Sequence, residues 1–168
     1  AYAYFLYDPL KPLGEVALER LKAAGISDYH QKAFDFIASA RNFSSAFEAQ
    51  KAGFLSSDDV VLMSYDHVLA RALLEAAALA GSYTPPADNQ IEMYSGSPAL
   101  DRDWPIDGTT ENDHVIVAKL AEMYTGSGSL SFTEFCDREV EYDVPLVMLP
   151  ANVERAKHMA ATRKPLNN

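Results

Sequence analysis

The segment 82–110 holds four prolines and two glycines: Pro85, Pro86, Pro98, Pro105, Gly96 and Gly108. Proline lacks the backbone donor that helices and ladders need, and glycine loosens whatever period surrounds it. No helix survives such punctuation, so the segment reads as a long structured loop with one short extended piece over 90–94. Loops of this length are uncommon in compact domains and often carry function. Elsewhere the apolar residues recur at helical spacing, and that recurrence sets the expected fold.

Leu13, Val16, Ala17 and Leu21 follow Pro12 on one face, and Gly25 stands where a left-handed cap belongs. Ser27 and Asp28 open a second segment lined by Tyr29, Ala33, Phe36, Ile37 and Ala40. A short third segment begins near Ser44 or Ser45, carries Phe47 and stops at Gly53. Ser56, Ser57, Asp58 and Asp59 offer oxygen acceptors and negative charge to the start of the longest helix. Val61, Tyr65, Val68, Leu69, Ala72, Leu73 and Ala76 give that helix a broad apolar face up to about Ala80, which predicts a central position. Beyond the loop, 113–123 is helical, and Ser131 with Glu134 forms a capping-box pattern for a helix carrying Phe135, Cys136 and Val140. The apolar run 145–150 reads as a strand or an extended strap, and 152–162 as a last helix. The expectation is an all-α fold, a mainly helical single domain over 1–168 with one long irregular loop.

Charge narrows the partners. There are 24 acidic residues against 14 basic ones, a net charge of −10. Such a field repels nucleic acid and anionic membrane surfaces, so no nucleic-acid partner is expected. The only concentrated basic stretch is Arg155, Lys157, His158, Arg163 and Lys164. No apolar run approaches the ~18 residues that a membrane span needs. The single cysteine, Cys136, excludes an internal disulfide and a thiolate zinc site. The composition fits a soluble protein, cytoplasmic and secreted settings being equally compatible. Tyr2, Tyr4, Phe5 and Tyr7 are residue types that anchor protein interfaces.

Short motifs give little chemistry. His30, His67, His114 and His158 show none of the spacings that put two metal ligands on one helix face. The segments 47–59 and 123–135 each place Gly, Leu and an acid where a calcium loop would, at Gly53, Leu55, Asp59 and Gly128, Leu130, Glu134. Their early positions lack the oxygen ligands of such a loop, and Gly-then-cap helix junctions account for the pattern. Asp101, Asp103, Asp107, Glu111, Asp113 and His114 gather groups suited to acid–base work. An acidic approach to a helix N-terminus explains them better.

A longer pattern spans roughly residues 41–141. It comprises Arg41-Asn-Phe-Ser44, Phe47-Glu-Ala-Gln-Lys-Ala-Gly-Phe54, Asp58-Asp59 and a helix ending Ala78-Leu-Ala-Gly81. Asn89-Gln-Ile-Glu92, Leu100-Asp-Arg-Asp103, Ser129-Leu-Ser-Phe-Thr-Glu-Phe135 and Arg138-Glu139 continue it. Together these resemble the heme-thiolate haloperoxidases and peroxygenases. The resemblance implies an all-α fold, a heme or another hydrophobic ligand, and Glu92 as a metal-ligating carboxylate near a heme propionate. The family's iron ligand is a cysteine in a Cys-Pro pair ahead of the segment matched at Arg41, and this chain has none there. Thiolate donation is what lets such a heme cleave an O–O bond. That departure leaves His30 or Tyr29 as heme ligand, against the alternative that both simply pack on an amphipathic helix. Glu92 has its own alternative as a solvated loop carboxylate. The implied pocket is walled by Phe34, Phe36, Tyr65, Leu69 and Phe132. Two functions follow. One is a divergent family member that binds heme or another hydrophobic ligand without thiolate chemistry. The other is a non-catalytic acidic helical interaction protein, or a subunit of a larger assembly.

Overall fold

Residues 11–39, 43–84, 90–100 and 110–168 are described by a computed structural model of the chain. Helices α1 (Lys11–Ala23) and α2 (Tyr29–Ala38) pack against each other across a tight turn. Gly25 makes that turn at φ +74°. Its N–H donates to the Lys22 carbonyl at 3.0 Å, and the Ile26 N–H donates to the Leu21 carbonyl at 3.1 Å. This pair of bonds satisfies the last carbonyls of α1, and the left-handed conformation suits a residue without a Cβ. The short helix α3 (Ala46–Lys51) ends the same way, with Gly53 at φ +87° and the Phe54 N–H on the Ala49 carbonyl at 2.9 Å. The two caps touch, since a Cβ at Gly53 would lie 3.0 Å from Ile26 Cδ1.

A single-turn 3-10 helix (Tyr65–His67) leads into α4 (Val68–Leu79). After it come strand β1 (Gln90–Glu92), helix α5 (Glu111–Tyr124), strand β2 (Ser129–Ser131), helix α6 (Phe132–Val147) and helix α7 (Pro150–Thr162). The two strands form an antiparallel ribbon with Ile91 opposite Leu130. The all-α expectation holds, with this ribbon as the one small exception among the described residues. The core joins Leu18 and Leu21 of α1, Phe34 of α2, Ile91 and Met93, Leu120 and Tyr124 of α5, and Phe135 of α6. Phe34 and Phe135 are fully buried. Each contributes about 1.5–3 kcal/mol by leaving water.

Polar contacts tie the helices where apolar ones end. Thr110 and Asp113 form a reciprocal capping box at the start of α5, and Ser131 and Glu134 form the one foreseen at α6. Arg138 of α6 donates to the carbonyls of Met123 at 2.7 Å, Glu122 at 3.0 Å and Thr125 at 2.8 Å, closing the C-terminus of α5. Carbonyls at a helix end lack the donor of a following turn, and a cation suits the negative end of the helix dipole; here Glu122 also accepts the Thr125 N–H at 3.2 Å. Arg155 of α7 donates from Nη1 to Asp113 Oδ1 at 2.6 Å and from Nη2 to Thr110 Oγ1 at 2.8 Å. Both charged side chains of this pair are 5% exposed. Arg155 is therefore a buried tie between α7 and α5, not part of a basic surface.

Three expectations change. The helix predicted from Ser56 to Ala80 at the centre of the fold is only α4, and none of its residues is buried. Its intended acidic start is used otherwise. Asp59 pairs with Arg20 of α1 and accepts from the Ser56 N–H at 2.7 Å, holding a turn where a helix would begin. Arg20 first, and then Ser56, lower the Asp59 carboxyl to about 2. The run 145–150 is neither strand nor strap, because α6 continues through Pro145 to Val147 and Pro150 starts α7. The buried Asn152 donates to the Leu146 carbonyl at 2.7 Å, beside the Leu149 N–H at 3.1 Å, and so ties the start of α7 to the end of α6. Helix α5 starts at Glu111, because Thr110 is the cap and Asp113 its third-position partner.

Candidate functional site

Three consecutive side chains in the first turn of α2 grip the segment 90–100. The Tyr29 hydroxyl donates to Glu92 Oε2 at 2.8 Å, and Lys22 from the last turn of α1 donates to the same oxygen at 2.7 Å. His30 Nε2 lies 2.8 Å from the Glu92 backbone carbonyl. That oxygen only accepts, so Nε2 carries the proton and donates. Gln31 completes the grip, with its Nε2 on the Ala99 carbonyl at 3.1 Å and its Oε1 receiving the Ala99 N–H at 2.8 Å. The same segment is stitched to the end of α5, where the Tyr94 N–H meets the Tyr124 carbonyl at 3.0 Å. Its extended form follows from these bonds on both sides.

The result is an open cleft of about 630 Å³ lined by residues that include Lys22, Tyr29, His30, Glu92, Tyr94 and Ser129. The Tyr29 and His30 rings stack at 4.2 Å, and Tyr94 tilts against His30 at 5.2 Å. The Lys22 ammonium lies 5.6 Å from the Tyr29 ring centroid. The bond to Glu92 raises Lys22 above its ordinary value. Lys22 first, and then Tyr29, hold Glu92 below its own. Burial first, and then Glu92, raise the Tyr29 hydroxyl. All three shifts lock in the charged ammonium, the charged carboxylate and the neutral phenol. A group doing acid–base work near neutral pH needs the opposite tuning.

His30 and Glu92, the two residues singled out in the sequence for a cofactor or metal, are thus brought together although 62 positions apart. The Glu92 carboxylate is occupied by Lys22 and Tyr29 and is not open to a metal as it stands, while His30 Nε2 donates to the Glu92 carbonyl and leaves Nδ1 as the ring's acceptor nitrogen. The five expected pocket walls do not assemble either. Phe34 is buried in the core. Phe36 clusters with Phe43 and Phe54 at a separate cleft, and Leu69 faces solvent on α4. Phe132 is partly exposed at the start of α6, and the Tyr65 side chain lies outside the described structure. Arg41, Asp101, Arg102, Asp103, Asp107 and the aromatic residues Tyr2, Tyr4, Phe5 and Tyr7 also lie outside the described residues. Among the described residues no three His, Cys, Asp or Glu side chains converge to hold a metal ion, and no helix is long and apolar enough to cross a membrane.

Helix α4 is the other conspicuous surface. Its sequence VLARALLEAAAL is almost wholly apolar, yet Leu69 is 71% exposed, Leu73 63%, Leu74 69% and Leu79 59%. A helix apolar on every side is ordinarily buried. Sequence reasoning read the apolar stripe correctly and assigned it to the wrong neighbour. It did not foresee the contacts of Lys22, Gln31, Arg138 and Arg155, whose partners are distant in the chain and leave no local signal. Compared with known proteins, the chain matches no family model, no curated protein and no solved structure.

Proposed function

We propose that this chain is a non-catalytic helical interaction protein that docks a partner through α4. The observation that carries the reading is the exposure of four leucines on a helix with no buried residue. A 12-residue helix is marginal by itself in water, and most helical stability comes from packing an apolar face. Contiguous exposed apolar surface of this kind marks an interaction site. The locked charge states of the cleft support the non-catalytic half of the reading.

Leu73→Glu tests it on the isolated chain at low micromolar concentration. If α4 is a docking surface, urea unfolding changes by no more than about 0.5 kcal/mol, as for other exposed sites. A loss of about 2–5 kcal/mol would place α4 in the chain's own core and end the proposal. Native mass spectrometry of protein from its own source should retain a partner with the native chain and lose it with Leu69→Glu/Leu73→Glu.

A second reading, ligand binding in the cleft of His30 and Glu92, is favoured by the convergence of these residues with the rings of Tyr29 and Tyr94. It retains the small-ligand half of the haloperoxidase-like expectation without the thiolate chemistry. Saturable binding of a ligand, lost in His30→Ala and Tyr94→Ala, would support it; unchanged binding in both would remove it.

A further inference from the structure

We infer that the occupant of α4 is the α4 of a second copy of this chain, packed antiparallel about a two-fold axis. This rests on the docking reading above and names its partner. Charge is the first reason. The chain carries a net charge of −10, but the only charged residues of α4 are Arg71 and Glu75, so the helix is neutral. A basic partner would find no acidic face there, whereas a second copy of this helix brings no net charge into the seam, and the repulsion between two chains of −10 acts outside it and is screened by salt.

The spacing is the second reason. Leu69, Ala72, Ala76 and Leu79 recur at steps of three, four and three, which puts them on one helix face. The order reads the same from either end. A two-fold contact matches one patch with itself, so a palindromic face is what it requires. Antiparallel pairing sets each Leu69 against Leu79 of the second copy and each Ala72 against its Ala76. The alanines at the middle let the backbones approach closely.

The same register places the charges. With the axis level with Leu74, Arg71 and the Glu75 of the second copy are offset by about 3 Å along the helix, well within side-chain reach. Both lie to one side of the apolar seam, and flanking charges on such helices set partner choice and orientation. Within one copy, Arg71 already holds Glu75, with Nε on Oε1 at 2.6 Å. The pair would extend this into a ring of four alternating charges. A helix of this length is about 18 Å long. Alone it covers less than the roughly 800 Å² per partner of a standard interface, so the association is weak and concentration-dependent.

Sedimentation equilibrium over about 1 µM to 1 mM tests this with four proteins and one mixture. The native chain should dimerise with a dissociation constant on the order of 10–100 µM, and Leu69→Glu should remain monomeric. Arg71→Glu alone and Glu75→Arg alone put like charges in register, and each should weaken self-association roughly tenfold. Mixed in equal amounts, these two variants should recover dimers, because each then meets its opposite. Like-charge repulsion within each helix is the same before and after mixing, so recovery reports contact between copies. A native chain that stays monomeric at 1 mM overturns the inference, as does a mixture that associates no better than its components. If Leu73→Glu meanwhile leaves the stability of the dilute chain intact, the docking reading survives with a different partner.

Discussion

Replacing Arg155 by methionine should remove a large share of the stability of this chain. The guanidinium sits 2.6 Å from Asp113 Oδ1, and both side chains are 5% exposed. Methionine keeps most of the aliphatic stem but strands Asp113 Oδ1 in the interior. Asp113 Oδ2 still receives the Thr110 N–H at 2.8 Å and hydroxyl at 3.0 Å, so half of the carboxylate remains satisfied. Breaking a buried pair from one side costs about 3–5 kcal/mol, and the surviving bonds put the expectation near the lower end. For a chain of this size 3 kcal/mol corresponds to a fall in Tm of roughly 6–12 °C. The assay is urea unfolding of the native chain, Arg155→Met, Asp113→Asn and the double variant. The two single costs should exceed the double by about 2 kcal/mol or more, since the residues share one interaction.

The pH dependence provides an independent sign. Burial pushes the Asp113 carboxyl up, but the bonds from Arg155 and Thr110 outweigh it and hold the group below its ordinary 3.8. A folded value below the unfolded one means stability that is present above pH 3.8 and lost as pH falls through the folded value. Without Arg155 burial prevails and the folded value rises, so acid relieves the variant's penalty. The stability gap between the two proteins should narrow below about pH 5. A cost under 1 kcal/mol at pH 7, or a gap that widens in acid, would refute the assignment of Arg155 as a buried tie.

Arg138→Met should cost about 2–3 kcal/mol by urea unfolding, because it removes charge-assisted bonds to three carbonyls at the end of α5; a neutral effect would mean water replaces them without loss. Gly53→Ala should destabilise by about 1–2 kcal/mol through its left-handed backbone, and more if Ile26 cannot retreat from the new Cβ. Gly25→Ala faces no neighbour within 4 Å, so it should show the backbone cost alone and be the milder variant. Titration with hemin should produce no saturable Soret shift, since the apolar walls expected around the ring do not assemble beside His30; a shift abolished by His30→Ala would reinstate ligation, through the Nδ1 that the bond to Glu92 leaves as an acceptor.

Local chemistry made much of the architecture readable in the sequence. Gly25 and Gly53 end helices because their backbone can turn left-handed, and the capping box of Ser131 and Glu134 needs only residues three apart. The extended piece near residue 90 follows from prolines that forbid helix on both sides. Apolar spacing likewise picked out Ala17 and Leu21 of α1 and Ala33 of α2, which are buried, but it passed over Phe34, placed the exposed Val140 inward, and read a stripe on α4 that lies open. Which surface would cover that face was decided only in three dimensions. The stripe around Leu69 and Leu73 is the same whether the helix is central or outermost, because periodicity reports an apolar face and not its partner. The seating of Arg155 on Asp113, the closure of α5 by Arg138, and the meeting of His30 with Glu92 join residues far apart in the chain. Nothing in the residues beside them selects those contacts. They form because packing the apolar faces brings unsatisfied polar groups within reach, and burial makes pairing them less costly than leaving them alone.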